Sequence, residues 1–498
     1  MPTAPPIQPG TRRVFCGIDC GTQSTKALLL DAGTDEVVAI GRASHDLVER
    51  DDGTREQDPR WWITALRAAV GSALAQAGRV EVAGLGVSGQ QHGLVALDAS
   101  DRPVRPAKLW NDTTTVAECD ALTAALGGPE AVLELTGNLF LPGYTAPKVA
   151  WLRRHEPEAY EQAARFCLPH DYLNLWLTGA FATEPGDASG TAYFDVRSRS
   201  YAAPVLAAID GGRDWDASLP PVVDSLSVIG ELTAAAATAL ALPAGLPVSA
   251  GGGDNMCAAI GAGAVVDGPL VVSLGTSGTA FGHRDEPAVD PQGIAAAFCD
   301  STGGWLPLAC TLNCTLATEW VRSLFGLDRD AFEAALRASP PGARGLVFLP
   351  HLSGERTPNV PLGAAAFAGM RADHGVDDVV RAVAEGVTLG LAFAFGALRR
   401  AGLEPSEVTL IGGGAASDAW GQLCADAFDL PVRRDPSPEV AALGAARQAR
   451  AVVDGTPLGG IEGRGGDEQR WEPIHAAELA AAQRRLSPLR EAAMAGKL

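Results

Sequence analysis

No stretch of the 498-residue chain approaches 18 uninterrupted apolar residues, so no segment is expected to cross a membrane. No CxxC pair occurs among its nine cysteines. Cys16/Cys20 and Cys310/Cys314 are each four apart. The first pair falls on one face of an apolar run, where thiols act as small hydrophobes rather than metal ligands or disulfide halves. Reduced thiols suit a reducing compartment. No G-x-x-x-x-G-K-[ST] run is present, and none of the four lysines follows a suitable glycine, which excludes a P-loop. Positive charge is scarce: 39 basic residues face 59 acidic ones, a net charge of −20. That balance repels nucleic acid and anionic membrane surfaces, so any phosphate must be held by a local site. Residues 1–11 are Pro-rich and lack an apolar core. Arg12-Arg13 look like a twin-arginine signal, but the apolar run behind them stops at Asp19, too soon for a signal peptide. The expectation is a cytoplasmic protein.

Hydrophobic residues make up 47% and charged residues 20%, enough to bury a sizeable core. At about 150 residues per domain the length fits about three units or two large ones. The run VFCGIDCGTQSTKALLLD (14–31) has two apolar arms about a turn of Gly, Thr, Gln and Ser, which predicts a β-hairpin. After Asp58-Pro59, Trp61, Trp62, Ala65, Leu66, Ala69, Val70 and Ala73 recur at helical spacing. VEVAGLGVSGQQHGLVALD (80–98) predicts a strand, a polar kink and a return strand. The mixture argues for an α/β domain. Residues 109–201 are richer in helical patterns and read as an insertion covering one side of a pocket. Strand character returns in VSAGGGDN (248–255), which ends in a helix start.

A weak internal repeat follows. VVSLGTSGTAF (271–281) resembles residues 18–27, with Gly275-Thr276 matching Gly21-Thr22 roughly 250 residues earlier. Two similar halves are therefore expected, divided in the Gly-rich IGAGAVVDGP, which suits a hinge. The division assigns residues 12–262 and 263–498 to the two domains. The second half contains a long apolar helix (376–401), then LIGGGAAS (410–417), a strand (430–433) and a helix (440–451). A Gly-rich loop and a closing helix follow Gly455.

The single GxGxxG, at 84–89, lies inside a strand and is followed by Gln90-Gln91-His92 rather than by a helix, which fails the dinucleotide-binding pattern. The Gly-Thr turns offer another phosphate device. Successive backbone N–H groups in a tight turn form an anion nest, and Thr22, Thr276 and Ser277 add hydroxyls. Ordinary hairpins of small residues are the alternative. Residues 412–414, three glycines after a strand, let an adenine-ribose group lie against backbone. Asp254, at a helix start behind three glycines, is either an N-cap or a general base for a sugar hydroxyl. Asp19 is either a solvated turn residue or an anchor for Mg²⁺, often through water. Gln90-Gln91-His92 and Trp110-Asn111-Asp112 are polar knots between apolar runs, suited either to a polyol or to local structure.

Together these segments resemble the FGGY carbohydrate kinases, and within them the xylulokinases. The matching stretches are GIDCGTQSTKALLLD, VSGQQHG, LWND, LPHDYLNLWLTG, GDASGTAYFDV, AGGGDN, SLGTSGT, LPHLSGERTP, LIGGGAASDAW and ALGAA, spanning about residues 14–450. Each motif is degenerate; their order and spacing are specific. The resemblance implies two ribonuclease-H-like domains of the actin/hexokinase type with an interdomain active-site cleft. It implies transfer of the γ-phosphate of MgATP to the 5-hydroxyl of D-xylulose. Ribulose, gluconate or glycerol as acceptor, or a non-metabolic ATPase of the same fold, are the alternatives. By resemblance Asp254 is the proton acceptor, and Asp19 is the second catalytic carboxylate. Both stand near Mg²⁺. Gln91, His92, Trp110, Asn111, Asp112 and Asn255 bind the sugar. Gly21, Thr22, Gly275 and Thr276 contact phosphate, and Gly413 and Gly414 the adenosine. Many xylulokinases have Met where Gln91 stands, and an arginine within two residues after Asp112 where this chain reads Thr-Thr-Thr. Those departures bear on the sugar and not on phosphoryl transfer. No nucleic-acid or membrane partner is implied, and a homodimer is left open.

Overall fold

The expected N-terminal hairpin forms. β1 (Arg12–Cys20) and β2 (Ser24–Asp31) pair antiparallel, from Val14 opposite Asp31 to Cys20 opposite Thr25. They open a computed structural model that describes residues 11–459 and 469–498. The sheet continues with β3 (Val37–Ser44), β4 (Val80–Gly89), β5 (Val228–Glu231) and β6 (Pro247–Ser249) in the order β5-β6-β4-β1-β2-β3. A short β7 (Gly252–Gly253) lies parallel to the end of β4.

Strand β1 feeds two cores because its side chains alternate. Val14, Cys16, Ile18 and Cys20 point into the core under α1 (Pro59–Ala77), with Trp62, Leu66, Ala69 and Val70. Phe15 joins the other face with Leu28, Leu30 and the apolar side of the helix Val440–Asp454. Asp58 caps α1 by accepting from the Arg60 amide, Pro59 fills its first position, and Gly78 at φ 71 stops it. Cys16 and Cys20 are buried free thiols, and burial pushes each up to about 12. The arginine pair opens β1: Arg12 lies 3.0 Å from Asp31, and Arg13 donates to Asp454 at 2.6 and 2.8 Å.

Two compact units make up the chain, and they are not contiguous. The first takes the chain to Val265, then Phe298–Trp305 and the segment that starts at Ser437; the second takes Val266–Ala297, Leu306–Pro436 and the stretch ending at Leu498. These units differ from a division into 12–262 and 263–498 by two returns of the chain to the first unit. Both have packing causes. Phe298 packs tilted against the His92 ring (centroids 5.6 Å apart), and Trp305 Nε1 donates to Val196 O (2.8 Å). The helix Val440–Asp454 lies on β1 and β4 so closely that a Cβ on Gly17 would stand 1.8 Å from Ala442 O, and one on Gly86 2.2 Å from Ala445 O. Another correction concerns the return strand after the polar kink. Val95–Leu97 does not pair back onto β4; it pairs with Arg165–Cys167. The backbone turns at His92, φ 65, and leaves the sheet.

The second unit repeats the first. β8 (Pro269–Leu274), β9 (Gly278–Gly282), β10 (Leu308–Thr311), β11 (Glu407–Ile411), β12 (Val432–Arg434) and β13 (Arg470–Trp471) run in the order β10-β9-β8-β11-β12-β13. In both sheets three antiparallel strands are followed by two parallel neighbours and an antiparallel edge. The internal repeat read from the two Gly-Thr segments is thus a repeat of topology. The long helix α2 (Val376–Arg400) is long and apolar enough to cross a membrane, with a mean hydropathy of 1.5 in its most apolar window. That window is 72% buried in the second unit, where Val380, Val383, Val387 and Leu391 meet the sheet core, so it is a core helix. The closing helix is Ala476–Met494; most of the Gly-rich loop before it, and the Pro-rich start of the chain, lie outside the described residues.

Candidate active site

In the first unit three strands end side by side. Cys20 pairs with Gly89 and Gly89 with Gly253, so the turn 21–23, the knot 90–92 and the pair Asp254-Asn255 all leave one carboxyl edge. Carboxyl edges of parallel strands are where α/β sheets bind ligands.

Asp19 is placed by register. It lies opposite Lys26 on β2 and Ser88 on β4, and those neighbours are its partners. Lys26 Nζ donates to Oδ2 (3.1 Å) and Ser88 Oγ to Oδ1 (3.0 Å). At 6% exposure Asp19 is no solvated turn residue. The Asp19 charge raises the Lys26 pKa against the effect of burial, with help from Glu439 at 3.7 Å. Lys26 was absent from the expected site, although counting outward from the turn puts it opposite Asp19. Ser88 was absent too, and no local signal sets a parallel register.

Asp254 is not an N-cap. Gly253 holds that position, and Asp254 is the first residue of the helix Asp254–Ala262. Its Oδ1 accepts from the Asn255 amide (2.9 Å) and Asn255 Nδ2 (3.0 Å), while Oδ2 carries no hydrogen bond among the described residues. Burial, then the Asp19 charge, pushes its pKa up to about 7; Lys26 and the Asn255 amide oppose this. A buried carboxyl whose proton affinity is raised in this way is a candidate general base.

Asn255 Nδ2 also donates to Gln91 Oε1 (2.9 Å), which joins the polar knot to Asp254. Among the described residues Gln91 Nε2 is buried with no partner, as is Asn111 Oδ1. Unpaired buried amide atoms call for an occupant. Trp110 Nε1 donates to Thr22 Oγ1 (2.9 Å), whose hydroxyl donates to Gln90 Oε1 (3.3 Å). The Thr22 side chain is thus engaged within the first unit, while the Gly21 amide closes the turn onto Ser24 O (3.1 Å). His92 Nδ1 meets Gly190 O (2.7 Å), and its carbonyl accepts from Lys148 Nζ (2.8 Å). Asp112 turns into its own surroundings: Oδ2 accepts from the Arg55 amide (2.9 Å) and Lys108 (3.0 Å), Oδ1 from Thr114 twice. Its place in the structure is to shape the loop that carries Trp110 and Asn111.

One further group has metal-ligand character among the described residues, His170 with Asp171 and Asp187. His170 Nε2 lies 2.6 Å from Ala250 O and so donates there, while Nδ1 faces Asp171 (3.2 Å) and Asp187 (3.5 Å). Burial alone would lower its pKa, but the two carboxylates hold it well above the ordinary value. With Nε2–H directed at Ala250 O, the arrangement is that of an ion pair between the ring and its two carboxylates.

The second unit repeats the edge. Ser273 pairs with Ile411, so the turn 275–277 after β8 and the glycines 412–414 after β11 emerge side by side. The carbonyls of Gly275 and Thr276 accept from the amides of Thr315, Cys314 and Leu316, whereas the amides of Gly275, Thr276 and Ser277 have no protein acceptor among the described residues. Gly412 (φ 85) and Gly414 lie against Leu274, where a Cβ would come within 3.0 and 2.8 Å; Gly413 is open. Free amides beside bare glycine backbone suit a phosphate and a flat base.

Residues 14–261 match the N-terminal domain, and residues 270–452 the C-terminal domain, of the FGGY family of carbohydrate kinases. The chain belongs to that family. As an FGGY carbohydrate kinase it is a phosphotransferase with a sugar as acceptor and ATP as co-substrate. The FGGY chain is 41% identical to a xylulose kinase of Haemophilus influenzae, over 88% of its own length and 90% of the relative's. It is 42% identical to a xylulose kinase of Streptomyces coelicolor, over 94% and 92%. The xylulose kinase structure from Bifidobacterium adolescentis matches with a TM-score of 0.81 at 32% identity, over 96% of this chain and 99% of that one.

Proposed function

We propose that the chain phosphorylates D-xylulose at its 5-hydroxyl, with ATP as donor and Asp254 as general base. The observation that carries this reading is the joined set Asp254–Asn255–Gln91, in which a carboxylate pushed up to about 7 stands beside an unpaired, buried amide nitrogen. Gln91 Nε2 and Asn111 Oδ1 are one donor and one acceptor for sugar hydroxyls, and Trp110 supplies an apolar face for the carbon chain. The 41–42% identity to xylulose kinases over most of both chains supports the ketopentose.

A sugar hydroxyl is a poor nucleophile at neutral pH, and Asp254 Oδ2 accepts its proton as it attacks phosphorus. The unpaired amides of the turn 275–277 hold the transferring phosphoryl oxygens, and Gly413 and Gly414 take the adenosine. The donor set at Asp19 and Asp254 fits Mg²⁺: two carboxylates, one of them bonded to Lys26, are hard oxygen ligands for an ion that keeps much of its water. When bound, the ion neutralises charge on the phosphates. Asp19→Asn is expected to raise the Mg²⁺ concentration for half-maximal activity by about 10-fold or more. An unchanged Mg²⁺ titration would remove the metal role. The reduced state of the cysteines, all nine buried as free thiols, supports a cytoplasmic location.

A coupled ADP assay across D-xylulose, D-ribulose, D-gluconate and glycerol tests the whole reading. The expected outcome is a kcat/KM for D-xylulose at least about 10-fold above the others, because unmatched hydroxyls leave Gln91 and Asn111 unpaired. Gluconate or glycerol as best substrate would reject the ketopentose. ATP turnover that ignores every sugar would reject the kinase.

A further inference from the structure

The strand that delivers Asp254 has no side chains to anchor it, since residues 251–253 are all glycine. Bulk is forbidden there: a Cβ on Gly251 would stand 2.2 Å from Val87 O, and one on Gly252 2.1 Å from Ser301 Oγ. What grips the strand is a fully buried residue from the helix Val440–Asp454. Gln448 Oε1 accepts from the Gly251 amide (2.8 Å) and Ser249 Oγ (2.9 Å). Its Nε2 faces the carbonyls of Gly251 (2.9 Å), Ser225 (3.1 Å) and Ser301 (3.1 Å). The orientation of this amide is unambiguous, because a backbone N–H only donates and carbonyls only accept. Gln448 therefore holds both backbone polar groups of Gly251, as a neighbouring strand would. On the other flank Ala250 O accepts from His170 Nε2 (2.6 Å) and Asn174 Nδ2 (3.0 Å). Three residues after this clamped peptide comes Asp254.

We propose that Gln448 is a positioning residue for phosphoryl transfer, fixing the glycine strand so that Asp254 Oδ2 meets the acceptor hydroxyl. This rests on the reading of Asp254 as the base. A reacting group displaced by about 1 Å loses up to about 10²-fold in rate. A buried glutamine that pairs both backbone polar groups of Gly251 in the glycine strand, with five polar contacts in all, is the device that prevents such a displacement.

The test compares Gln448→Met, Ser249→Ala and Asp254→Asn in one assay, with kcat expressed per folded molecule. Gln448→Met keeps length and bulk and removes all five contacts; its kcat is expected to fall about 10-fold while KM for ATP stays within about twofold. Ser249→Ala removes one bond to Oε1 and leaves the helix packing untouched; a fall of about threefold with the same KM pattern is expected. A residue that merely supports the fold would lower the folded fraction and leave kcat per folded molecule alone. If Gln448→Met does not fold, Ser249→Ala decides. Near-normal turnover in Asp254→Asn would sink the base reading and the clamp with it. An inactive Asp254→Asn beside normal kcat in the other two variants would sink the clamp alone.

Discussion

Asp254→Asn is expected to lower kcat by at least about 10²-fold, the lower end of what a general base contributes. The substitution is close to isosteric, and an Asn oxygen can still accept from the Asn255 amide and side chain, so the link to Gln91 survives. What disappears is the basic Oδ2. The pH profile provides a second readout. Burial, then the Asp19 charge, raises the Asp254 pKa to about 7, and the base works only when ionised. In the wild type kcat/KM should therefore fall as the pH drops below about 7, with one acid limb set by this group. The residual activity of Asp254→Asn should lack that limb. Stability should move the opposite way. A carboxyl whose folded pKa lies above its unfolded value holds its proton longer in the native state, so its contribution to stability declines as pH rises from about 4 towards 7. At pH 8 the wild type keeps a carboxylate beside Asp19 that the variant lacks, and Asp254→Asn should unfold at a higher temperature. A variant with near-normal turnover, or one whose acid limb stays put, would end the assignment of Asp254.

The parts of this site that sequence alone reveals are those governed by short-range rules. The hairpin about Gly21 follows from alternation and turn residues, and with it the opposition of Asp19 and Lys26. The topological repeat shows in two Gly-Thr turns because a bare, tight backbone demands the same residues each time. What stays hidden depends on distant pairing. Gln448 meets Gly251 from 197 residues away, and nothing about a glutamine in an alanine-rich helix announces it. The return of the helix Val440–Asp454 to the first unit is equally silent, because its alanines and glycines read as weak helix rather than as a surface cut for close approach. Asp112 illustrates the reverse. A polar knot between apolar runs looks like a ligand site, yet both its oxygens are occupied by its own neighbourhood, and only Asn111 beside it keeps an unpaired acceptor.

That close approach also sets the second large effect. On general helix propensity, replacing a helical glycine by alanine gains about 1 kcal/mol. Gly71→Ala in α1, where an added Cβ meets nothing within 4 Å, should show that gain. Gly444→Ala should do the opposite. Its Cβ would lie 1.7 Å from Cys257 O and 2.8 Å from the Gly261 nitrogen, backbone atoms of the helix Asp254–Ala262. Neither can rotate away, and the reciprocal contact is as tight, a Cβ on Gly261 meeting Val440 O at 1.9 Å. The two helices must part, and overpacking of this kind costs up to about 3 kcal/mol or more, enough to overwhelm the propensity term. Urea midpoints of the first unit's unfolding transition should therefore shift up in Gly71→Ala and down in Gly444→Ala. Because the helix that would be displaced begins at Asp254, the same variant should lose turnover even in the molecules that remain folded. A Gly444→Ala protein as stable and as active as the wild type would mean that the helices separate without cost, and that their contact is not what seats the carboxylate.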